Sequence, residues 1–157
     1  DGFGAALNAF IGQNYGAGKM DRVKKGYRAS LITVGVWGLF ITLLFVCFPE
    51  QISGVFFHEP TAIATAVGYM IIIGYSEAFM SVELMTVGAL SGLGKTHLCS
   101  VISITLTSAR IPLAILLSGT ALGLLGIWWA LTATSVVKGI VFVMAFYWIT
   151  ARMRNSK

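Results

Sequence analysis

From Thr61 to Gly94 the chain runs as one apolar stretch whose only charges are Glu77 and Glu83, and few environments admit such a segment. Runs of roughly 18 or more mostly apolar residues are long enough to cross a hydrocarbon layer as helices. Further runs of this kind cover about Ala29 to Phe48, His97 to Ser118 and Leu122 to Ala151. Composition argues against a water-soluble core, because hydrophobic residues make up 57% of the chain and charged residues only 11%, against about 25% charged in ordinary soluble domains. The mean hydropathy is +0.84. The expected fold class is all-α, a polytopic bundle of membrane helices with lipid as its first partner. The stretch from Thr61 to Gly94 exceeds the length of one crossing, so it is expected to tilt, bend at Gly74 or protrude. A further helix, Phe3 to about Ala17, enters truncated. The chain opens at Asp1 with neither an initiator Met nor a signal-peptide pattern, and reads as the carboxyl-terminal part of a larger protein.

The basic residues orient these spans. A loop expected after the first helix holds Lys19, Arg22, Lys24, Lys25 and Arg28; the third connection holds Lys95; the tail holds Arg152, Arg154 and Lys157. The alternate connections, Pro49 to Pro60 and Gly119 to Ala121, contain no Lys or Arg. Positive loops stay on the cytoplasmic side, so the first and third connections and the tail are expected in the cytoplasm, with the chain multi-pass in the plasma (inner) membrane. That bias and anionic lipid at the inner surface explain the net charge of +5. Nucleic acid is not expected as a partner, because the basic cluster has no stacking platform beyond Tyr27. Trp128 and Trp129 suit the outer interface, and Tyr147 and Trp148 the inner one.

A carboxylate in the middle of a spanning helix costs about 3 kcal/mol on insertion scales unless it is protonated, paired or hydrated. Glu77 and Glu83 differ by about 240° around the helix, so they point to different sides rather than forming one acid-base couple. Counting back from Gly94 at about 1.5 Å per residue places Glu83 about 16 Å and Glu77 about 26 Å from the cytoplasmic end. Arg110 and Lys138 lie about 20 Å from the same surface by that count, level with Glu83. Two arrangements follow: Glu83 neutralises Arg110 or Lys138, or each charge reaches an interface or binds helix carbonyls freed by Pro112.

Small residues mark where helices approach closely. Gly12 and Gly16 form one small-xxx-small pair, and Gly88 and Gly92 another, for which helix packing is the ordinary explanation. Gln13 and Asn14 either find partners inside the bundle or sit at the water line. Gly16-Ala17-Gly18-Lys19 supplies flexible backbone at a helix end.

The segment Ala9 to Lys19, with Gly12, Gln13, Gly16, Ala17 and Gly18, resembles the Gly-Gln-x-x-Gly-Ala-Gly stretch of the multidrug and toxic compound extrusion (MATE) transporters. Gly88-Ala89-Leu90-x-Gly92-x-Gly94-x-Thr96 resembles that family's Gly-Ala-Leu-Arg-Gly-x-Gly-Asp-Thr signature, with Ser91 and Lys95 standing where the signature has Arg and Asp. Further likenesses are Phe48-Pro49, Phe57-His58-Glu59-Pro60, Arg110-Ile111-Pro112-Leu113-Ala114 and Gly126-Ile127-Trp128-Trp129-Ala130. The resemblance implies a twelve-helix, two-lobe transporter of which residues 1–157 are part of the carboxyl-terminal lobe: 1–18 the end of the eighth helix, 29–48 the ninth, 61–94 the tenth, 97–118 the eleventh and 122–151 the twelfth. The amino-terminal lobe, absent here, would be its partner. The implied activity is export of drugs and other small organic, often cationic, compounds by alternating access in exchange for Na+ or H+. Glu83, Glu77, Arg110, Lys138, Met80 and Phe79 are the candidate ion-coupling and substrate residues, while Gly12, Gln13, Gly16, Gly88, Gly92, Gly94 and Pro112 carry the motif and the packing. The wider superfamily leaves a lipid-linked oligosaccharide flippase as the alternative, which would line its cavity with cations for pyrophosphate.

Other chemistries find little support. Cys47 and Cys99 fall near opposite ends of their helices, beyond the reach of about 7 Å between Cα atoms that a disulfide allows. No Cys/His cluster has metal spacing, and His58 next to Glu59 reads as a solvated loop pair. Gly94-Lys95-Thr96 resembles the end of a phosphate loop, yet Ala89 occupies the position of its first glycine and no strand precedes it. An embedded enzyme would need Glu77, Glu83, His58 and His97 to converge, and the charge bias puts the two histidines on opposite sides. Neither catalytic residues nor a cofactor other than the coupling ion are expected.

Overall fold

The computed structural model describes residues 2–155, with side chains through Met153; Asp1, Lys157 and the side chain of Arg154 lie outside the described residues. Six helices follow one another: α1 (Gly2–Gly16), α2 (Met20–Cys47), α3 (Pro49–Phe56), α4 (Pro60–Gly92), α5 (Thr96–Ser118) and α6 (Leu124–Asn155). No strand occurs among the described residues. Four of the helices, α2, α4, α5 and α6, are long and apolar enough to cross a membrane, and the chain is a membrane protein. Pro49 and Pro60 open α3 and α4, where a missing N–H is no loss and the ring fixes φ for the first turn. Glycines with positive φ turn the chain after α1 and α4: Gly18 at 71° and Gly94 at 73°. At the latter turn Lys95 N–H donates to Leu90 O at 2.9 Å and Gly94 N–H to Ser91 O at 2.9 Å, satisfying carbonyls that the helix end leaves open. Lys95 thus belongs to a helix-helix turn and Thr96 opens α5, rather than both ending a phosphate loop.

Contacts along the helices give their directions. Gly4 meets Gly88 while Gly12 meets Gly92, so α1 runs parallel to α4. Tyr27 bonds Thr86, Gly38 abuts Ala78 and Thr42 bonds Gly74, an order that makes α2 antiparallel to α4. Ile72 meets Thr132 and Phe79 meets Gly139, so α6 is parallel to α4. Arg110 meets Thr134 and Lys138 meets Thr107, so α5 is antiparallel to α6. The central helix α4 therefore packs against α1, α2 and α6, and α5 lies mainly on α6. These directions gather Lys19, Arg22, Lys24, Lys25, Arg28, Lys95 and Arg152 at one end of the bundle, with α3 and the α5–α6 connection at the other.

One expectation about a connection is corrected. The basic segment from Arg22 to Arg28 is helical, forming the first turns of α2 rather than a loop. Val23 and Tyr27, one turn apart, are fully buried, so the apolar side of that segment packs while its charges face outward. The passage from Pro49 to Pro60 contains a short helix as well as a turn.

The buried core sits toward the basic end, where Leu7, Ile11, Val23, Met85, Leu90 and Phe142 interlock. The Tyr27 ring stacks on Phe146 with centroids 3.6 Å apart, and its hydroxyl shares a 2.9 Å hydrogen bond with Thr86. Outward faces carry Ile32, Ile104, Leu116 and Met144, an apolar surface that suits hydrocarbon rather than water.

Glycine sets the α1/α4 spacing. A methyl group on Gly88 would collide with the carbonyl of Gly4, and one on Gly92 would meet Asn8 O at 2.6 Å. Gly12 faces Gly92 at ordinary contact distance, whereas Gly16 has nothing within 4 Å, so the expected Gly12/Gly16 packing pair is half realised. Gly92, which Gly12 faces, is the last residue of α4, so one turn further along α1 Gly16 has no α4 residue to meet. Gly88→Ala in the full-length protein should therefore destabilise it by roughly 1 to 3 kcal/mol, as overpacking does, while Gly16→Ala should shift stability by no more than about 0.5 kcal/mol. Thermal unfolding of the two variants in detergent checks the contrast.

Candidate functional site

The central charged residue is Glu83, buried on α4 where it faces α6. Its Oε1 lies 2.6 Å from Lys138 Nζ, both side chains being 11% exposed. A buried ion pair recovers its desolvation only with good geometry and further hydrogen bonds, and one such bond is present: Lys138 Nζ also donates to Thr107 Oγ1 at 3.3 Å. Of the two cations at matched depth, then, Lys138 is the one beside Glu83.

Arg110 has different partners. It is half-buried on α5, its Nε donating to Thr134 Oγ1 at 2.9 Å and its Nη2 to Ser135 Oγ at 3.1 Å. It thus bonds hydroxyls of α6 and not carbonyls of its own helix near Pro112. The Thr134 hydroxyl is held in turn, donating toward Ala130 O at 2.8 Å and Leu131 O at 3.0 Å. Helical spacing explains the cluster, since residues three and four apart share a face: Thr107 with Arg110 on α5, and Thr134 and Ser135 with Lys138 on α6. Thr132, two residues before Thr134, bonds Ile72 O of α4 at 2.9 Å, which puts Arg110 level with the middle of α4.

Glu77 stands apart. It is half-buried and makes neither an ion pair nor a hydrogen bond among the described residues. Phe79 backs onto Gly139 of α6, and Met80 is exposed. On the other side of α4, a cavity of about 1020 Å³ opens between α1, α2 and α4, lined by Phe3, Trp37, Phe40, Ser81, Leu84 and Met85. The central helix therefore separates an apolar space from a charged cluster. The candidate residues do not converge on one pocket.

Gln13 is exposed at the basic end, and its neighbour Asn14 donates to Phe10 O at 2.8 Å. Gly94 makes the positive-φ turn already described, and Pro112 lies inside α5. Cys47 is exposed and Cys99 buried, both as free thiols; no group able to hold a metal occurs among the described residues. His58 and Glu59 are both exposed. Trp148 takes Arg152 over its ring, 5.4 Å from the centroid. Thr107, Thr134 and Ser135 were not among the candidates, because hydroxyls are frequent along apolar helices. Their spacing from Arg110 and Lys138 is the signal that would have found them.

Comparison with known proteins agrees with this architecture. The family model MatE matches residues 2–116. The probable multidrug resistance protein NorM of Pseudomonas aeruginosa is 30% identical over 162 aligned positions, covering 97% of this chain and 33% of that protein. A probable NorM of Thermotoga maritima is 26% identical, with 92% of this chain and 32% of the relative covered. The human multidrug and toxin extrusion protein 1 is 22% identical, with 90% and 25% covered. The chain thus spans a quarter to a third of the length of these relatives.

Removing one member of a buried pair strands the other, at a cost of roughly 3 to 5 kcal/mol, whereas replacing both with apolar or neutral groups is often neutral. Glu83→Gln and Lys138→Met should each lower the unfolding midpoint of the full-length protein in detergent. The double variant should recover most of the loss; additive losses would mean the two side chains do not act as partners.

Proposed function

We propose, from the premise that this chain belongs to the MATE family, that it is most of the second lobe of a cation-coupled exporter of drugs and other organic compounds. In this reading α1 is the end of the eighth helix and α2, α4, α5 and α6 are the ninth to twelfth. The first lobe is the partner that completes the transport path. The basic end faces the cytoplasm of a plasma (inner) membrane, following the positive-inside bias. The relatives carry names of resistance and extrusion proteins, which favours transport over enzymatic chemistry.

The observation that carries the reading is Glu83 paired with Lys138 in the interior of a membrane bundle. An ammonium tethered by its own helix already neutralises this carboxylate, so an arriving Na+ or H+ takes Glu83 only as Lys138 withdraws. Binding of the ion is then coupled to a rearrangement between α4 and α6, the kind of differential contact that shifts a two-state equilibrium. Glu77, with no partner among the described residues, serves as the second acidic position for the coupling ion or for a cationic cargo. Met80, three residues on and on the same side of α4 as Glu77, supplies apolar contact for that cargo, while Phe79 lies on the side that packs against Gly139 of α6. The flippase alternative is less favoured by the same geometry, because Glu83 consumes the charge of Lys138 and leaves Arg110 alone to meet a pyrophosphate.

Glu83→Gln in the full-length protein should reduce ion-driven ethidium extrusion from energised vesicles to the level of empty membranes. The Glu83→Gln/Lys138→Met double variant separates transport from folding: it should be stable and still inactive. Extrusion at the wild-type rate by that double variant removes Glu83 from the mechanism.

A further inference from the structure

We propose that the seam between α1 and α2 holds one acyl chain of an anionic phospholipid, whose phosphate is taken by Arg22 and Lys25 at the basic end of the bundle. Such a site depends only on the bundle lying in a membrane, and it stands or falls independently of transport.

A furrow of about 310 Å³ runs along this seam, bordered by Phe3, Leu7 and Phe10 of α1 and by Gly26, Ala29 and Ser30 of α2. Its walls come from a mismatch of side-chain size. Exposed rings project from α1 while α2 offers small residues, and Phe10 lies so close over Gly26 that a methyl group there would collide with it. From Phe3 to Phe10 the helix rises about 10 Å, so the furrow has a cross-section of about 30 Å². A second helix, about 10 Å across, needs about 80 Å², and lipid-exposed loops do not occur within hydrocarbon. A single hydrocarbon chain fits where another polypeptide does not.

The same helix faces lead to a polar mouth. Residues three and four apart share a face, so Gln13 follows Phe10 on α1, while on α2 Arg22 precedes Gly26 and Lys25 precedes Ala29. All three are exposed. Because α1 and α2 run in opposite directions along α4, Gln13 comes to the same end as Arg22 and Lys25. Asp21, the nearest acid in sequence, points about 140° around α2 from Gly26, and neither Arg22 nor Lys25 has an ion-pair partner among the described residues. A furrow that is apolar along its length and cationic at one end matches an amphiphile with a phosphate above an acyl chain. Basic residues beside spanning helices attract anionic lipid, and the forked donors of Arg suit phosphate oxygens. Gln13 adds an amide donor for the same headgroup.

Purified full-length protein in detergent is titrated with phosphatidylglycerol or with phosphatidylcholine of the same acyl chains, and bound lipid is counted by native mass spectrometry. Wild-type protein should retain phosphatidylglycerol preferentially. Arg22→Gln/Lys25→Gln should weaken its binding roughly thirtyfold, while Arg152→Gln, at the same end but on α6, should change it by no more than about twofold. Ala6→Leu/Ala29→Leu fills the furrow from two exposed positions with the charges intact, and should weaken binding of the same lipid at least about tenfold. Equal uptake of both lipids by the wild-type protein overturns the proposal and leaves the seam to the first lobe. An equal loss in Arg152→Gln also overturns it, as diffuse attraction to the basic end. Unchanged binding in Ala6→Leu/Ala29→Leu does the same, because a headgroup held without its chain needs no furrow. A dimer that this variant dissociates would put a second copy of the chain on the seam in place of lipid. None of these readouts uses drug extrusion, so failure of the exporter reading leaves them intact.

Discussion

A carboxylate and an ammonium 2.6 Å apart, one on α4 and one on α6, set the terms for the rest of this bundle. Neither group is tolerated alone in hydrocarbon, so each helix must present its charge within reach of the other, and the long lysine side chain spans the five residues, roughly 7 Å at about 1.5 Å of rise each, by which the Phe79–Gly139 register separates them. Parallel packing of α4 and α6 meets that condition, and α5 then closes over the pair with Thr107. The interaction orders the helices rotationally as well as axially, because Glu83 can reach α6 only from one face of α4.

Around that pair the helices are held by close backbone approach and by hydroxyls. Helices in lipid gain little from hiding apolar surface, since lipid tails are equally apolar; van der Waals fit and interhelical hydrogen bonds decide their contacts. The glycines facing α4 show the first device: Gly4 of α1 against Gly88, Gly38 of α2 against Ala78 and Gly139 of α6 against Phe79. The threonines show the second, with Thr42 on Gly74 O, Thr86 on Tyr27 and Thr132 on Ile72 O. Every one of these contacts involves α4, which makes it the hub of the bundle.

That hub divides the bundle into two chemical environments. On the α1/α2 side lies an apolar space bounded by aromatic and aliphatic side chains, and on the α5/α6 side lies a set of charges and hydroxyls. A rotation or tilt of α4 would alter both at once, trading packing on one side against ion pairing on the other. The proposed transport reading requires linkage of this kind between a charge-neutralising event and a change in accessible surface.

Much of this fold can be read from the residues in order. Long apolar runs require helices that cross a bilayer because hydrocarbon leaves backbone groups no partner outside the helix. The alternation of basic and uncharged connections already implies which ends share a side, and the helix directions gather those basic residues at one end of the bundle. Local charge was a poorer guide at Arg22 to Arg28, where buried Val23 and Tyr27 continue α2 through residues that look like a loop. A constant rise per residue put Glu83, Arg110 and Lys138 at one level, whereas the register set by Thr132 on Ile72 O and Phe79 on Gly139 holds Arg110 closer to the middle of α4 than Glu83 is. Azimuth relative to a neighbouring helix is not legible either, because it depends on how close the backbones come. The sequence alone determined an all-α membrane bundle with acids and bases inside its long helices; only the tertiary structure decided the relative heights of those charges, and that Glu83 meets Lys138 while Arg110 turns to the hydroxyls of Thr134 and Ser135, since those pairings follow from glycine-set distances and crossing geometry that no single helix contains.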